Sequence, residues 1–451
     1  MQLKKEFIAK MKDLLGDEYE QFEKSLEEPE QKAITVNSLR LNNQDIYKIA
    51  DFHLENVEEV QNGYYVNNIK IGSHKLSHMG VIYSQEPSAM YPVEMLDIKE
   101  GEIVLDLCSA PGGKSIQVLE KLGNTGFLVS NEIVFNRAKI LYENLNRMGF
   151  KNFAITCNSP EDFEKTNLKF DKILVDAPCG GEGMFRKNNF DFDAYNNGSI
   201  DTNAKRQSNI LNSIKNLLKP NGKLVYSTCT YDKRENEDVV CDFLNNNINY
   251  SILDYPSLNN ITTAGITTNQ PTQFCKRRYP HKHRGEGQFM ALLKNNSDNI
   301  DDDKISRFRA KGYESIYKKD VEILRKTFKG IADISKLEIT KRNDNFYVIP
   351  DINIDFENLN VVSIGVLMGT LSKGIFKIAH EFYHSYSEIF YNKFELNDIQ
   401  LESYLQGYEI DVDDDIQNGI CVVTHKNIAI SGGKVVNGKL KNYYPKNLRN
   451  N

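Results

Sequence analysis

Two cysteines follow predicted strands at equivalent positions, and their thiols are the side chains of this sequence best suited to nucleophilic chemistry. Cys179 comes after the apolar run at 172–175, within the sequence DAPC, and Cys229 comes after the run at 223–226, within STC. In sheets of parallel strands, ligands bind at the carboxyl ends of the strands. Either cysteine alone could be a small core residue, but two at the same sheet edge indicate thiolate chemistry.

A glycine-rich segment at 108–114, with the sequence CSAPGGK, joins a predicted strand at 103–107 to a predicted helix at 115–122. Glycines let a backbone approach a ligand closely, and a helix N-terminus presents free N–H groups. Glu132 follows the next predicted strand, where a carboxylate can accept hydrogen bonds from both hydroxyls of a ribose. An ordinary glycine turn is the alternative, but Glu132 favours a nucleoside cofactor. Because GxxxxGK[ST] is absent, S-adenosylmethionine fits better than a P-loop nucleotide.

These candidates require an α/β domain that places several strand ends side by side. Between about 91 and 294, apolar runs alternate with helical patterns, which predicts a parallel sheet with helices on both faces. The predicted strands are 103–107, 127–130, 153–156, 172–175 and 223–226. The predicted helices are 115–122, 137–148, 210–218 and 236–244.

The segments on either side of this region have different patterns. Apolar residues spaced as on one helix face occupy 7–15, and strand-like runs follow at 34–39 and 64–71, the second after an Asn-Gly hairpin turn. The polar, acidic stretch at 295–303 predicts a linker. A helix-then-strand region continues to about 385, and a shorter segment with a basic tail completes the sequence.

The composition is that of a soluble protein with several domains. The 451 residues carry a net charge of −6, with 40% hydrophobic and 26% charged residues, which excludes a disordered chain. At about 150 residues per domain, this length indicates about three domains. The most apolar stretch, 361–371, is about half the length of a membrane span, and the N-terminus lacks a signal-peptide core. Seven cysteines without an export signal predict free thiols in a cytoplasmic protein.

Three motifs in chain order, SAPGGK, DAPCGGEGMFRK and YSTCT, make the sequence resemble the Nop/Sun family of RNA cytosine-C5 methyltransferases, and most closely its RsmF-type bacterial branch. The similarity extends over nearly the whole chain. It also includes FIAKMKDLLGDEYEQF near the N-terminus, QEPSAM at 85–90, HRGEG at 283–287 and LKNYYPK at 440–446.

The resemblance implies a domain organisation with RNA-binding modules at both ends. A class I, Rossmann-like methyltransferase domain of α/β class is expected at 91–295. An N-terminal α+β RNA-binding domain is expected at 1–90, a small intermediate domain at 304–384 and a PUA-like RNA-binding domain at 385–451.

The resemblance also assigns chemical roles to three residues. C5 of cytosine is too weak a nucleophile to take a methyl group directly, but a thiolate that adds to C6 makes C5 enamine-like. By resemblance Cys229 is this nucleophile, Asp176 holds the base at N3 and the exocyclic amine, and Cys179 assists release of the product. The implied substrate is 16S rRNA, free or in an assembling small ribosomal subunit, with tRNA or another RNA as the alternative.

The implied cofactor is S-adenosylmethionine, and the resemblance extends to the residues that bind it. They are Cys108, Ser109, Ala110, Pro111, Gly112, Gly113 and Lys114 along the turn, Glu132 on the ribose, and Arg137, Ser159 and Asp176 as further contacts. Three positions depart from the family pattern: Ser159 replaces an aspartate beside the adenine, Thr35 replaces an arginine, and Gly180 replaces a serine. We expect Gly180 to loosen its loop and Thr35 to remove a cation from a surface that faces the substrate.

Two segments are rich in positive charge. Residues 275–284, with the sequence CKRRYPHKHR, contain five Lys or Arg residues and form either a solvated loop or a contact with RNA phosphates. The tail at 434–451 contains basic residues and no acidic ones, which suits an RNA-binding appendage.

Two patterns imitate metal sites. Cys275, His281 and His283 fit no common zinc spacing. The sequence HEFYH at 380–384 spells the HExxH signature of zinc peptidases. The candidates for a third ligand, Glu388 and Glu395, lie closer to this motif in the sequence than the glutamate ligand usually does. We therefore expect no metal, and a zinc peptidase is retained only as an alternative.

Two further alternatives are distinguishable by experiment. A DNA cytosine methyltransferase would use Cys179 rather than Cys229 as its nucleophile. An RNA-binding assembly factor without enzymatic activity would not bind S-adenosylmethionine, although the turn and Glu132 argue against it. We expect RNA as the partner, no membrane association, and a monomer.

Overall fold

The computed structural model describes residues 3–42, 44–186, 197–298, 308–413 and 416–449. Within these ranges the strands form four sheets, and no helix is both long enough and apolar enough to cross a bilayer. The predicted linker at 295–303 lies outside the described residues from 299 onward. The domain boundaries expected from the sequence stay predictions.

The N-terminal sheet is antiparallel and made of short strands. They are β1 (Ala33–Val36), β2 (Leu54–Asn56), β3 (Gly63–Val66) and β4 (Ile82–Ser84), in the order β2-β3-β1-β4. The helices are α1 (Lys5–Leu15), α2 (Tyr19–Ser25), α3 (Ile46–Ile49), α4 (Lys75–His78) and α5 (Tyr91–Leu96). The predicted N-terminal helix is α1, which buries Phe7 and Met11. The strands predicted at 34–39 and 64–71 end early, because the Asn37 side chain accepts the Leu39 amide in a turn and Asn68 adopts a positive φ.

The central sheet contains five parallel strands with helices on both faces. The strands are β5 (Ile103–Asp106), β6 (Phe127–Asn131), β7 (Phe153–Thr156), β8 (Phe170–Asp176) and β9 (Leu218–Thr228). The helices are α6 (Gly113–Leu122), α7 (Phe135–Met148), α8 (Pro160–Phe163), α9 (Asn197–Ile214) and α10 (Glu237–Asn246). The order β9-β8-β5-β6-β7 confirms the predicted Rossmann-like sheet. Helix α9 ends at Ile214, before the predicted residue 218, and a 3₁₀ turn at Lys215–Leu217 leads into β9.

Antiparallel strands that the sequence analysis did not predict extend this sheet beyond β9. They are β10 (Tyr250–Leu253), β11 (Thr263–Ala264), β12 (Lys276–Arg278) and β13 (Gln288–Asn295). Strand β13 lies beside β9, β10 and β12 share its other edge, and β11 pairs with β12. Because β13 is buried on both faces, its apolar run lacks the alternation that marks a half-exposed strand.

The segment expected as a small intermediate domain contributes to two sheets. Its strands are β14 (Glu314–Ser315), β15 (Glu338–Arg342), β16 (Asn345–Ile349), β17 (Val361–Ile364), β18 (Val366–Ser372) and β19 (Ile375–Ile378), and its helices are α11 (Lys318–Phe328) and α12 (His380–Ser385). Strand β17 pairs antiparallel with β7 of the central sheet, whereas the others form the sheet β14-β15-β16-β18-β19. This segment is therefore continuous with the central sheet.

The last sheet packs against the first. Its strands are β20 (Lys393–Glu395), β21 (Ile410–Asp411), β22 (Gly419–His425), β23 (Ile428–Val436) and β24 (Lys439–Asn442), in the order β20-β22-β23-β24-β21, with helix α13 (Asp398–Leu405). Ile34 of β1 and Val423 of β22 belong to one apolar cluster. Arg40 adds polar contacts by donating to the carbonyls of His384 and Ala429 at 2.8 and 3.2 Å. The two ends of the chain thus share a core.

Candidate active site

The turn between β5 and α6 is organised around Asp106, the last residue of β5. Ser115 donates to Asp106 Oδ2 at 2.6 Å, and the Ser109 hydroxyl donates to the Asp106 carbonyl at 2.6 Å. Among the described residues Asp106 Oδ1 has no hydrogen-bond partner, and burial raises the pKa of Asp106 to about 7. Gly112 begins α6 with a φ of 119°, which side chains rarely adopt. The sequence analysis missed Asp106, although a carboxylate that ends an apolar strand was a usable signal.

Glu132 and Arg137 lie beside this turn. Glu132 is 3% exposed and follows β6. Its Oε1 accepts the Val134 amide at 2.9 Å, and its Oε2 lies 3.0 Å from Arg137 Nη1. Arg137 also donates to the Ala110 carbonyl at 2.8 Å. The structure therefore brings Glu132, Arg137 and the predicted turn together at one edge of the sheet.

Ser159 lies at the same edge, beyond β7. Its amide and hydroxyl both contact Asp162 Oδ2 at 3.1 Å, so that Ser159 and Asp162 cap the start of α8. The preceding residue, Asn158, is tied to β6 because its carbonyl accepts the Asn131 side chain at 3.0 Å. Ser159 is thus engaged locally, and its contact with a cofactor stays a prediction.

Asp176 ends β8 and connects the turn to the cysteines. Lys114 donates to Asp176 Oδ2 at 2.7 Å, and Ser227 donates to Asp176 Oδ1 at 2.8 Å. Burial opposes the charge on Lys114, but the ion pair with Asp176 outweighs it and raises the pKa of Lys114. Asp176 is thus an oriented carboxylate with 32% of its side chain exposed.

Cys179 and Cys229 face each other with 3.3 Å between their sulfur atoms. The sheet explains their proximity, because Asp176 of β8 is the register partner of Ser227 of β9 and the chain leaves both strands at the same level. All seven cysteines lie within the described ranges and are free thiols. The contact with Cys229, together with burial, holds the pKa of Cys179 well above the usual value for a thiol. Cys179 is therefore a thiol rather than a thiolate at neutral pH.

The loop after Cys179 is held rather than loosened, contrary to our expectation for Gly180. The Gly180 amide donates to both carboxylate oxygens of Glu235, at 3.0 and 3.2 Å. A Cβ atom at position 180 would lie 3.0 Å from Glu235 Oε2. Glycine therefore allows the close approach of this loop to Glu235.

The N-terminal helix α1 supports the same loop. Lys10 pairs with the buried Glu182 and lies 2.9 Å from Asp232 Oδ2, and Glu182 also accepts the Thr230 hydroxyl at 3.1 Å. Burial alone would raise the pKa of Asp232, but Arg234 and Lys10 lower it to about 2. Since its folded-state pKa is depressed, Asp232 stabilises the fold above about pH 4, and this contribution is lost as the pH falls towards 2.

The basic segment at 275–284 is largely structural. Lys276, Arg277 and Arg278 are buried, which excludes them as contacts to RNA phosphates. Their partners are Asp254 for Lys276, Glu237 for Arg277, and the Ile261 carbonyl for Arg278. The more exposed Lys282 and Arg284 pair with Glu18 and Glu55. The buried cations of this segment therefore serve internal contacts, and the two exposed ones form surface ion pairs.

Arg277→Met is therefore expected to destabilise the fold by about 3–5 kcal/mol, because it leaves the fully buried Glu237 without its cationic partner. Urea unfolding followed by circular dichroism measures this loss. Lys282→Met is the matched control, since Lys282 is partly exposed, and it should change stability by less than about 1 kcal/mol. Equal effects of the two substitutions would contradict the structural role of Arg277.

Thr35 is also internal, so the expectation that position 35 faces the substrate was wrong. Thr35 is 1% exposed, and its hydroxyl donates to the Gln85 side chain at 2.6 Å. Gln85 in turn donates to Gln117 of α6 at 3.2 Å. The position therefore links β1 to the helix that follows the glycine-rich turn.

The HEFYH segment forms a junction between sheets. His380 contacts the Ser431 hydroxyl at 2.7 Å, and the two ring nitrogens of His384 contact the carbonyls of Ile430 and Arg147 at 3.0 and 2.8 Å. Burial lowers the pKa of both histidines. Across the described ranges, no three His, Cys, Asp or Glu side chains are grouped as metal ligands would be. Contacts with β23 and with the end of α7 explain these histidines.

Three family models match successive parts of the chain. The one described as 16S rRNA methyltransferase RsmB/F matches residues 93–294. The N-terminal domain of 16S rRNA methyltransferase RsmF matches residues 3–87, and the methyltransferase RsmF PUA domain matches residues 391–450.

Relatives match over most of their length. A protein of Shewanella sediminis named Ribosomal RNA small subunit methyltransferase F is 30% identical over 441 residues, covering 93% of this chain and 91% of the relative. Its namesake in Shewanella oneidensis is 29% identical over 446 residues, with coverages of 93% and 91%.

Solved structures share the fold over 65% of this chain. A methyltransferase homolog protein from Pyrococcus horikoshii is 30% identical with a TM-score of 0.58, covering 65% of this chain and 95% of that chain. NSun6 from Pyrococcus horikoshii with SFG has a TM-score of 0.56 at 21% identity, with coverages of 65% and 99%. Matches in sequence, domain order and fold agree, and the chain belongs to the 16S rRNA methyltransferase RsmB/F family.

Proposed function

We propose that this methyltransferase transfers the methyl group of S-adenosylmethionine to C5 of a cytidine in RNA, through a covalent bond between Cys229 and C6 of the base. The observation that carries the proposal is the pair of thiols, Cys179 and Cys229, 3.3 Å apart beside the carboxylate of Asp176. The names of the relatives support small-subunit ribosomal RNA, 16S rRNA, as the substrate. Another RNA, such as tRNA, is the alternative substrate.

The residues around the glycine-rich turn fit S-adenosylmethionine. Glu132 offers carboxylate oxygens to ribose hydroxyls. Gly112 lets the turn lie close to α7, since a Cβ atom at position 112 would lie 3.0 Å from Leu141 Cδ1. Segment 108–114, Arg137 and Asp176 complete the proposed binding set. When bound, the cofactor supplies a methyl group activated by a sulfonium.

Glu132→Ala should weaken the binding of S-adenosylmethionine by about 1.5–3 kcal/mol, or roughly 10- to 150-fold in Kd, because hydrogen bonds from the ribose to a charged acceptor are lost. Isothermal titration calorimetry measures the change directly. Glu143→Ala removes an exposed carboxylate from the neighbouring helix α7 and should bind as the wild type does. Wild-type affinity in Glu132→Ala would remove Glu132 from the site.

The proposed chemistry assigns one step to each polar side chain. The Cys229 thiolate forms a bond to C6, which moves an electron pair to C5 and makes that carbon nucleophilic. Asp176, oriented by Lys114 and Ser227, accepts a hydrogen bond from the exocyclic amine, and a proton shared between its carboxyl group and N3 stabilises the negative charge that develops on the base. After transfer, the C5 proton leaves to a base and the C6–S bond breaks to regenerate the thiolate. Cys179 takes part in this release.

The C-terminal sheet offers a lysine-rich face for RNA phosphates. Lys434 of β23 and Lys441 of β24 are register partners, Lys439 lies two residues away on β24, and all three are exposed. Their exposure contrasts with the buried cations of segment 275–284. We call these three residues the lysine face and propose that it contacts RNA phosphates.

Replacing the lysine face with alanines should weaken RNA binding and lower the slope of log K against log salt by about 2–3, since each lost phosphate contact contributes about 0.7–0.9. Filter binding at several salt concentrations measures the slope. Alanine at Lys318, Lys319 and Lys326, which are exposed on α11, is the matched control. The same fall in both triple variants would show a non-specific charge effect and refute the assignment.

Bisulfite sequencing of 16S rRNA from a strain that lacks the gene tests the substrate. One or more 5-methylcytidines should disappear and return with the wild-type gene, but not with a gene that encodes Cys229→Ser. An unchanged 16S pattern with sites lost from tRNA would select the alternative substrate.

A further inference from the structure

Cys179 is held on both sides by buried polar side chains that the proposed chemistry does not use. Glu235 accepts the Gly180 amide, which follows the cysteine. Gln207 donates to the Pro178 carbonyl, which precedes the cysteine, at 2.9 Å, and to Glu235 Oε1 at 3.0 Å. The peptide groups on either side of Cys179 are therefore fixed by one connected pair of side chains.

The backbone beside Cys229 is held in the same manner by Asn236, the residue that follows Glu235 in the chain. Its Oδ1 accepts the Thr228 hydroxyl at 2.5 Å, and its Nδ2 donates to the Thr230 carbonyl at 2.9 Å. Both contacts involve residues adjacent to Cys229. Asn236 therefore bonds to the residues on both sides of Cys229, as Gln207 and Glu235 bond to the residues on both sides of Cys179.

The two sets of contacts come from the consecutive residues Glu235 and Asn236, together with Gln207 of α9. Glu235, Asn236 and Gln207 are each 0% exposed. The Tyr226 hydroxyl of β9 donates to the Glu235 carbonyl at 2.6 Å, which anchors the dipeptide to the sheet. Burial raises the pKa of Glu235 to about 7, whereas the hydrogen bonds from Gln207 and from the Gly180 amide favour its ionised form.

We propose that Glu235 and Asn236 are positioning residues that together set the distance and orientation between the Cys179 and Cys229 thiols. Neither residue contacts the sulfur atoms, and each acts through the backbone beside one cysteine. The catalytic consequence rests on the proposed function, whereas the geometric consequence does not. We call Glu235 and Asn236, with Gln207, the thiol bracket.

The thiol distance can be measured without RNA by a glutathione redox titration. In the reaction, the Cys179 and Cys229 thiols give up two electrons and two protons, one intramolecular S–S bond forms, and glutathione disulfide is reduced to two glutathione thiols. Mass spectrometry of the peptide pair that contains Cys179 and Cys229 gives the fraction oxidised. Cys179→Ser defines the background from the other cysteines.

Glu235→Ala and Asn236→Ala should each require about tenfold more oxidising glutathione ratios for half-oxidation, since the thiols are no longer held together. Glu235→Gln should behave within about threefold of the wild type, because its side-chain oxygen can accept both the Gly180 and the Gln207 donors. Asp238→Asn changes an exposed carboxylate at the start of α10 and is the matched control. Wild-type titrations of both alanine variants would overturn the proposal.

Methyl-transfer kinetics add the catalytic half of the test. The alanine variants should lower kcat by about 10- to 100-fold with little change in KM for RNA, because a misplaced group affects the chemical steps. Glu235→Gln should restore kcat, which a general loss of stability would not explain. An unchanged kcat in variants whose thiols have separated would overturn the catalytic role.

A folding defect and a wrong function give different signatures. Should Glu235→Ala fail to fold, Gln207→Ala removes the Pro178 contact from the other side and should give the same shift in the redox titration. If the wild type methylates no RNA but the redox shifts occur, the proposed function fails while the thiol bracket stands.

Discussion

Cys229→Ser is expected to abolish methyl transfer, with a fall in rate of at least about a thousandfold, because a serine hydroxyl is far less ionised than a thiol and is a poor nucleophile towards C6. The rest of the site should remain, since the Thr228 hydroxyl and the Thr230 carbonyl, which flank Cys229, bond to Asn236 and not to the sulfur of Cys229. Transfer of tritium from labelled S-adenosylmethionine to RNA measures the loss.

Cys157→Ser is the matched control, because Cys157 is another half-buried free thiol of the same domain. It should methylate RNA at the wild-type rate. If Cys229→Ser is as active as Cys157→Ser, Cys229 is not the nucleophile.

Cys179→Ser is expected to trap the enzyme on its RNA. Addition of Cys229 to C6 and methyl transfer should proceed, whereas the release step loses the thiol that lies 3.3 Å from the attacking sulfur. A covalent protein–RNA complex should then accumulate with unmodified RNA, and it should survive denaturing gel electrophoresis. In the wild type the same complex should be too short-lived to collect.

The double variant Cys179→Ser/Cys229→Ser is the control for this trap. It should form no complex, because no thiolate remains to attack C6. Normal turnover by Cys179→Ser would show that another group performs the release.

The parallel part of the fold was predictable from sequence because each of its strands is a short apolar run between helical patterns. Strand β7 was predicted at its observed bounds, 153–156, whereas β13 was missed. A strand buried on both faces has no period-two pattern, and its partners β9 and β10 are distant in sequence. The return of β17 to the central sheet is equally non-local.

The glycine-rich turn and the two cysteines of the candidate site were predictable because their residue types occur in motifs with a fixed order. Charge was a weaker guide, because Arg277 has the same sequence signature whether it faces RNA or Glu237. The roles of Asp106 and of the thiol bracket were missed for a related reason. Their partners are set by packing, and a buried carboxylate such as Glu235 resembles a solvated one in sequence.

Mapping the covalent adduct tests the central claim most directly. The enzyme is incubated with S-adenosylmethionine and RNA in which 5-fluorocytidine replaces cytidine, since fluorine at C5 cannot leave as a proton does and release is blocked. Tryptic peptides that carry the nucleotide are then sequenced by mass spectrometry, with 5-fluorodeoxycytidine DNA in parallel. We expect the nucleotide on Cys229, in the RNA reaction only. An adduct on Cys179, or one formed only with DNA, would contradict the account.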